Sequence, residues 1–304
     1  MLEHWRQDLA SLARRDRLRA LAPRDGRDFA SNDYLALAEA PELMTIAQAA
    51  LARGVPVGAG GSRLLRGNHP EHEALEEEAA QFFGVESALY FSAGFSANEA
   101  LLATLPQRDD LILHDQLIHA SAHDGMRLSR APYRPFAHND MNALEDALRD
   151  WRRNGGMGRP WIAVESLYSM DGDFAPLDDV VALATRYDGF VLIDEAHATG
   201  VYGPAGRGRA AAFEGRENIV TVHTCGKALG VSGALVCLAR PLRDFIVNRG
   251  RNFIFATAPS PLIAACVRGV LRLVEGADND RLDLRARGRN VATSAQFRPR
   301  QRDA

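Results

Sequence analysis

Apolar positions change rhythm along this chain. From Leu2 to Leu21 they recur at helical spacing among charged residues, which predicts an amphipathic helix. A second helix is predicted from Pro41 to about Arg53, opened by its proline, and a third from Glu71 to Phe83. Between the first two, the turn formers Ser31, Asn32 and Asp33 break the pattern beside Tyr34, Leu35 and Leu37. From Ser87 onward short apolar runs alternate with amphipathic segments. The runs Ala88–Phe91, Leu111–Leu113, Tyr133–Phe136, Trp161–Glu165, Val191–Asp194, Ile219–His223 and Ala234–Ala239 read as strands. Ser96–Leu105, Ile118–Leu128, Met141–Arg152, Leu177–Tyr187, Pro241–Arg249 and Pro261–Glu275 read as helices.

That alternation implies an α/β fold of three layers, αβα, around a mostly parallel sheet covered on both faces. Ligands of such sheets bind beyond the carboxyl ends of the strands, where this chain carries its distinctive polar residues. The expected organisation is an N-terminal helix and entrance segment (1–45), a large domain (46–258), and a linking helix with a short remainder (259–304). Seven arginines follow Asp280 without apolar period, so one more short helix and then a solvated or disordered end are expected.

Composition narrows the function. The net charge of −3 recruits neither nucleic acid nor a membrane, and no apolar run approaches the roughly 20 residues of a membrane span. Cys225, Cys237 and Cys266 show no CxxC spacing and read as reduced thiols of a cytoplasmic protein. Of the 36 basic residues, Lys227 alone is a lysine. It sits in TVHTCGKALGVSG between two strands, among small residues that let a ligand approach the backbone. A desolvated lysine forms imines; guanidinium does not. The competing reading is a surface lysine in a glycine-rich turn.

Other strand ends add chemistry. Asp194 and His197 stand in DEAHATG; Asp194 suits a cationic ring nitrogen, a metal or a helix cap. Ser92, Ala93, Gly94 and Phe95 lead from a strand into a helix whose free N–H groups suit a phosphate, or form a plain N-cap. His119 could stack on an aromatic cofactor. His114, His119, His123 and Asp115 also raise zinc, as in a hydrolase, but HExxH is absent, and His114 and His123 read as structural. Glu165 and Ser169 can face a ligand, whereas Asp171 and Asp173 read as holding a turn.

In order, SNDYLAL, GSRLLRGNHPEHEALE, YFSAGFSANEA, LIHAS, ESLYSMDGDFAPL, DEAHATGVYGPAGRG and TVHTCGKALG lie between residues 31 and 230, within a likeness that covers residues 28–259. Together they resemble the α-oxoamine synthases, pyridoxal-phosphate enzymes of fold type I. The resemblance implies that Lys227 carries the cofactor covalently and acts as base. Asp194 would hold the pyridine nitrogen, His119 would stack on the ring, and His197 and Ser169 would reach its phenolic oxygen. Ala93, Gly94, Phe95 and Thr224 would bind phosphate, and Ser92 and Glu165 would also be among the residues that bind the cofactor. Thr257 would reach the cofactor of a neighbouring subunit in a homodimer, and Asn32 and Tyr34 would lie at the entrance.

The implied reaction condenses an amino acid, L-alanine, with an acyl thioester of coenzyme A or a carrier protein, with decarboxylation; the implied acyl group is pimeloyl. Other members use glycine or serine with other acyl groups. Members continue into a C-terminal domain of about 100 residues, which supplies an arginine for the amino acid's carboxylate. Here the match ends near Arg289, so a truncated small domain is expected. A homologue that holds cofactor without turnover is the competing reading.

Overall fold

The computed structural model describes residues 1–293, and side chains through residue 288. Two compact units divide it, residues 1–31 and the remainder. In the first, helix α1 (Glu3–Arg14) has no buried residue. It is shorter than the Leu2–Leu21 expectation: the chain turns at Arg15 and Asp16, where Asp16 adopts φ 53°.

The second unit is built on a seven-stranded sheet. Its strands are β1 (Ser87–Phe91), β2 (Leu111–Asp115), β3 (Tyr133–Phe136), β4 (Pro160–Glu165), β5 (Phe190–Asp194), β6 (Ile219–Thr224) and β7 (Ala234–Leu238). The order is β1-β7-β6-β5-β4-β2-β3. β7 runs antiparallel to both neighbours, and the other pairs are parallel. β1 therefore joins the sheet only through β7.

Both faces are covered, which is why the central strands read as continuous apolar runs. Leu192, Val220 and Val222 pack with Leu101 of α4 (Gly94–Thr104) and Met126 of α5 (Ala120–Leu128). Val191, Ile193, Ile162 and Val164 point the other way, onto Leu144 and Leu148 of α6 (Met141–Arg153) and Val180 of α7 (Leu177–Arg186). At the β1–β7 edge, Ala88, Tyr90 and Leu235 pack with Leu75 of α3 (Pro70–Phe83). Helix α2 (Pro41–Ala52) contributes Ala50 to a small cluster with Val55 and Ala265.

Helices α8 (Arg240–Arg249) and α9 (Arg251–Ile254) follow β7. α10 (Pro261–Glu275) returns Ala264, Val267 and Val270 to the cluster beneath α3. Its first turn is capped by Ser260, whose Oγ accepts the Ile263 N–H. α11 (Asp278–Thr293), with 16 residues, is longer than the short helix expected, and its first arginine is not solvated. Arg281 is fully buried and pairs with Asp278 at 2.6 Å. The expected arginine-rich end beyond residue 293 lies outside the described residues. Among the described residues no helix is long and apolar enough to cross a membrane.

Candidate active site

Five strands, β1, β2, β4, β5 and β6, deliver polar groups to one place because they end at one edge of the sheet. Glu165 and Asp194 are register partners at the tips of β4 and β5, so their carboxylates emerge side by side. Burial and the neighbouring Asp194 raise the Glu165 pKa to about 8. Asp194 is anchored on both oxygens: Oδ1 accepts the Ala196 N–H at 2.9 Å and Oδ2 accepts Asn98 Nδ2 at 2.7 Å.

β6 ends in Thr224 and runs into the turn that bears Lys227. The turn closes on itself, with Cys225 N–H donating to Gly233 O at 2.8 Å and Val231 N–H to Cys225 O at 2.9 Å. Gly230, at φ +65°, lies so close to residues 37 and 38 that a Cβ would sit 2.5 Å from Ala38 N. Backbone contact thus fixes the height of Lys227. Burial lowers the pKa of its amine, against the opposing pull of Asp194 and Glu165.

Lys227 Nζ lies 2.6 Å from His197 Nε2, and His197 Nδ1 lies 2.6 Å from the Tyr34 hydroxyl. The Tyr34 hydroxyl has one hydrogen and donates it to Asn32 Oδ1 at 3.0 Å. It therefore accepts from His197 Nδ1–H, which leaves Nε2 to accept from Lys227. Burial and the Lys227 charge push the His197 pKa down to about 4, in keeping with a neutral ring at pH 7.

From β1 the chain enters α4 at Gly94. The first N–H groups of a helix lack intrahelical partners and favour an anion. Gly94 brings them against β6, since a Cβ there would stand 3.4 Å from Thr224 Oγ1. His119 caps α5, its Nδ1 accepting the Ser121 N–H at 3.2 Å. Its ring meets Phe95 edge-on, with centroids 6.3 Å apart.

These groups line one cavity of about 140 Å³: Gly94, Phe95, His119, Glu165, Asp194, His197, Thr224 and Lys227. Four other expected residues are not among its walls. Ala93 is the exposed N-cap of α4. Ser92, with Oγ 3.4 Å from Ser96 Oγ, lines a separate small space with Thr257. Ser169 lines a larger cavity of about 610 Å³ with Tyr34, Phe174 and Arg285, and His197 borders both. His114 and His123 pack against each other, centroids 5.0 Å apart, away from these walls. Sequence reading missed three cavity residues, Asn98, Ser121 and Ala196. Asn98 follows Gly94 by four residues, so helical spacing alone places it on the same face.

The donor set fits pyridoxal phosphate: one amine, a carboxylate anchored opposite polar walls, an imidazole, and a helix N-terminus beside a hydroxyl. One buried oxygen, Asn98 Oδ1, has no partner.

Residues 24–290 match the family described as aminotransferase class I and II. An 8-amino-7-oxononanoate synthase of Geobacter sulfurreducens is 42% identical over 278 residues, 90% of this chain and 69% of that protein. One from Chromobacterium violaceum is 44% identical, covering 84% of this chain and 66% of that one. The chain spans about two thirds of the length of these relatives. Among solved structures, a serine palmitoyltransferase from S. paucimobilis, with a bound PLP–myriocin aldimine, superposes with TM-score 0.85. It is 26% identical and covers 95% of this chain and 78% of that one. An 8-amino-7-oxononanoate synthase from Francisella tularensis gives TM-score 0.72 at 30% identity, covering 87% of this chain and 73% of that one.

Proposed function

The chain belongs to the class I and II aminotransferase family, in its α-oxoamine synthase group, and from that premise we propose a pyridoxal-phosphate-dependent acyltransferase. It joins an amino acid to an acyl thioester and releases carbon dioxide. The observation that carries this reading is the chain's one lysine amine, half-buried in a cavity that also holds Asp194, Glu165, His119 and His197.

When bound, pyridoxal phosphate supplies a carbonyl that captures amines and a ring that draws electron density from the adjoining carbon. The chain's residues do the rest. Lys227 holds the cofactor and then takes the proton from the amino acid's α-carbon; burial lowers its pKa toward the range of a working base. Asp194 holds the ring nitrogen, and its two anchoring hydrogen bonds keep it from turning away. His119 would cover the ring face, and His197 and Ser169 would reach toward the phenolic oxygen; His197 borders both cavities. The α4 N-terminus, from Ser92 and Ala93 through Gly94 and Phe95, and Thr224 take the phosphate. Thr257 reaches the cofactor of the partner in a homodimer, and the protein works in the cytoplasm.

The finer reading is L-alanine with pimeloyl coenzyme A or pimeloyl carrier protein, giving 8-amino-7-oxononanoate on the route to biotin. Curated relatives of 40–44% identity carrying that name support it. The likeness to serine palmitoyltransferase supports a second reading, a sister synthase using serine or glycine and another acyl group.

Two measurements test this. Borohydride reduction of the cofactor-loaded protein should leave a pyridoxyl mass on the Lys227 peptide, and Lys227→Ala should lose it together with turnover. Release of coenzyme A should require alanine and pimeloyl coenzyme A, and not serine and palmitoyl coenzyme A. A reduced protein with no label on Lys227 overturns the site. Label without thiol release with any pair overturns the catalytic reading and leaves a cofactor-holding homologue.

A further inference from the structure

A line of hydrogen bonds leads from the Asp194 carboxylate to the His119 ring. Asn98 is 3% exposed, and its Nδ2 donates to Asp194 Oδ2 at 2.7 Å and to Ser121 Oγ at 3.1 Å. Ser121, also fully buried, stands with Oγ 2.8 Å from His119 Nδ1, and its backbone N–H donates to that same nitrogen at 3.2 Å.

The hydrogens on this line can be assigned from donor and acceptor chemistry. A ring nitrogen that accepts a backbone N–H carries no hydrogen itself. His119 Nδ1 is therefore the acceptor of the Ser121 hydroxyl as well. Ser121 Oγ, having given its hydrogen to His119, accepts from Asn98. The amide of Asn98 is fixed in turn, because turning it over would set its oxygen against a carboxylate oxygen at 2.7 Å. Asn98 Oδ1 is left buried with no partner. An amide that only filled space could have been replaced by an apolar residue without leaving that oxygen unpaired.

We propose that Asn98 and Ser121 are positioning residues: they orient the Asp194 carboxylate and fix the His119 hydrogen on Nε2. Two groups that approach the cofactor from different strands are thereby coupled, so neither turns without disturbing the other. The meaning for catalysis rests on the proposed cofactor site; the hydrogen assignment does not.

The test begins on cofactor-free protein labelled with ¹⁵N-histidine. His119 should show a single form with hydrogen on Nε2, and Ser121→Ala should move the Nδ1 resonance. Hydrogen on Nδ1 in the unaltered protein, or an unmoved resonance in Ser121→Ala, overturns the assignment. Equilibrium binding of pyridoxal phosphate to Asn98→Leu should weaken about ten-fold, the loss expected when a hydrogen bond to a charged group goes. Unchanged affinity in a variant whose circular dichroism matches the parent overturns the positioning role. Failure of the unaltered protein to bind pyridoxal phosphate overturns the proposed function instead, and leaves the His119 result standing.

Discussion

Glu165→Gln isolates one titration in the heart of the cavity. Glu165 is 4% exposed, and its pKa rises from the ordinary 4.5 to about 8 through burial and the adjacent Asp194. A raised carboxyl pKa means the folded protein holds a proton that the unfolded chain has lost. Its contribution to stability is complete below pH 4.5 and fades as pH rises toward 8. Each pKa unit corresponds to about 1.4 kcal/mol, so between pH 5 and pH 8 the group alone removes up to about 4 kcal/mol.

His197 runs the other way. Its pKa falls from 6.5 to about 4, so its contribution grows as pH rises from 4 to 6.5. The two slopes oppose each other below pH 6.5, and the Glu165 loss stands clear above it. Other groups titrate in this window too, which is why the difference between parent and variant is the quantity to measure. Gln keeps the shape and cannot ionise. Urea unfolding of cofactor-free protein at pH 5, 6.5 and 8 should show the variant gaining on the parent with each step, by up to about 4 kcal/mol in all. A parent–variant difference that stays flat across the three pH values refutes the argument that Glu165 holds its proton in the folded state.

Three further outcomes follow from packing. Gly230→Ala, at φ +65° and 2.5 Å from Ala38 N, should cost about 1–3 kcal/mol by urea unfolding and weaken cofactor binding by displacing Lys227. Leu75→Ala, fully buried in the cluster under α3 and α10, should cost about 2–5 kcal/mol in the same assay. Arg63→Met breaks a buried two-pronged pair with Glu76, at 2.8 and 3.0 Å, and should cost about 3–5 kcal/mol. Adding Glu76→Met should recover only part of that loss, because Glu76 Oε1 also accepts the Tyr90 N–H at 2.9 Å.

Much of this architecture was legible from periodicity. The strands that carry Asp194 and Thr224 are apolar runs buried on both faces, and such runs announce themselves. The order of strands was not legible. Nothing local to Ala234–Leu238 says that this strand lies between β1 and β6; distant pairing decides it. The first helix ends at Arg14, short of its apolar spacing, because no other element of its unit buries its apolar positions. Arg281 was hidden for the opposite reason. An arginine in a charged run reads as solvated, and only the three-dimensional neighbours, Asp278 and the Val274 carbonyl, reveal it as buried. At the site, single chemical types such as a lone lysine stood out. Asn98 and Ser121 are ordinary residues, and only their mutual distances give them meaning.

The placement of β7 has a consequence for how the protein is made. The strand that leads into the α4 turn finds its sheet neighbour only in a segment translated much later; the Ser87–Leu238 hydrogen bond joins residues 151 positions apart. At about 5–20 residues per second, a ribosome leaves β1 waiting on the order of ten seconds for that neighbour. During the wait a five-residue apolar edge is open to any passing strand. Chaperone demand during synthesis should therefore fall when β7 leaves the exit tunnel.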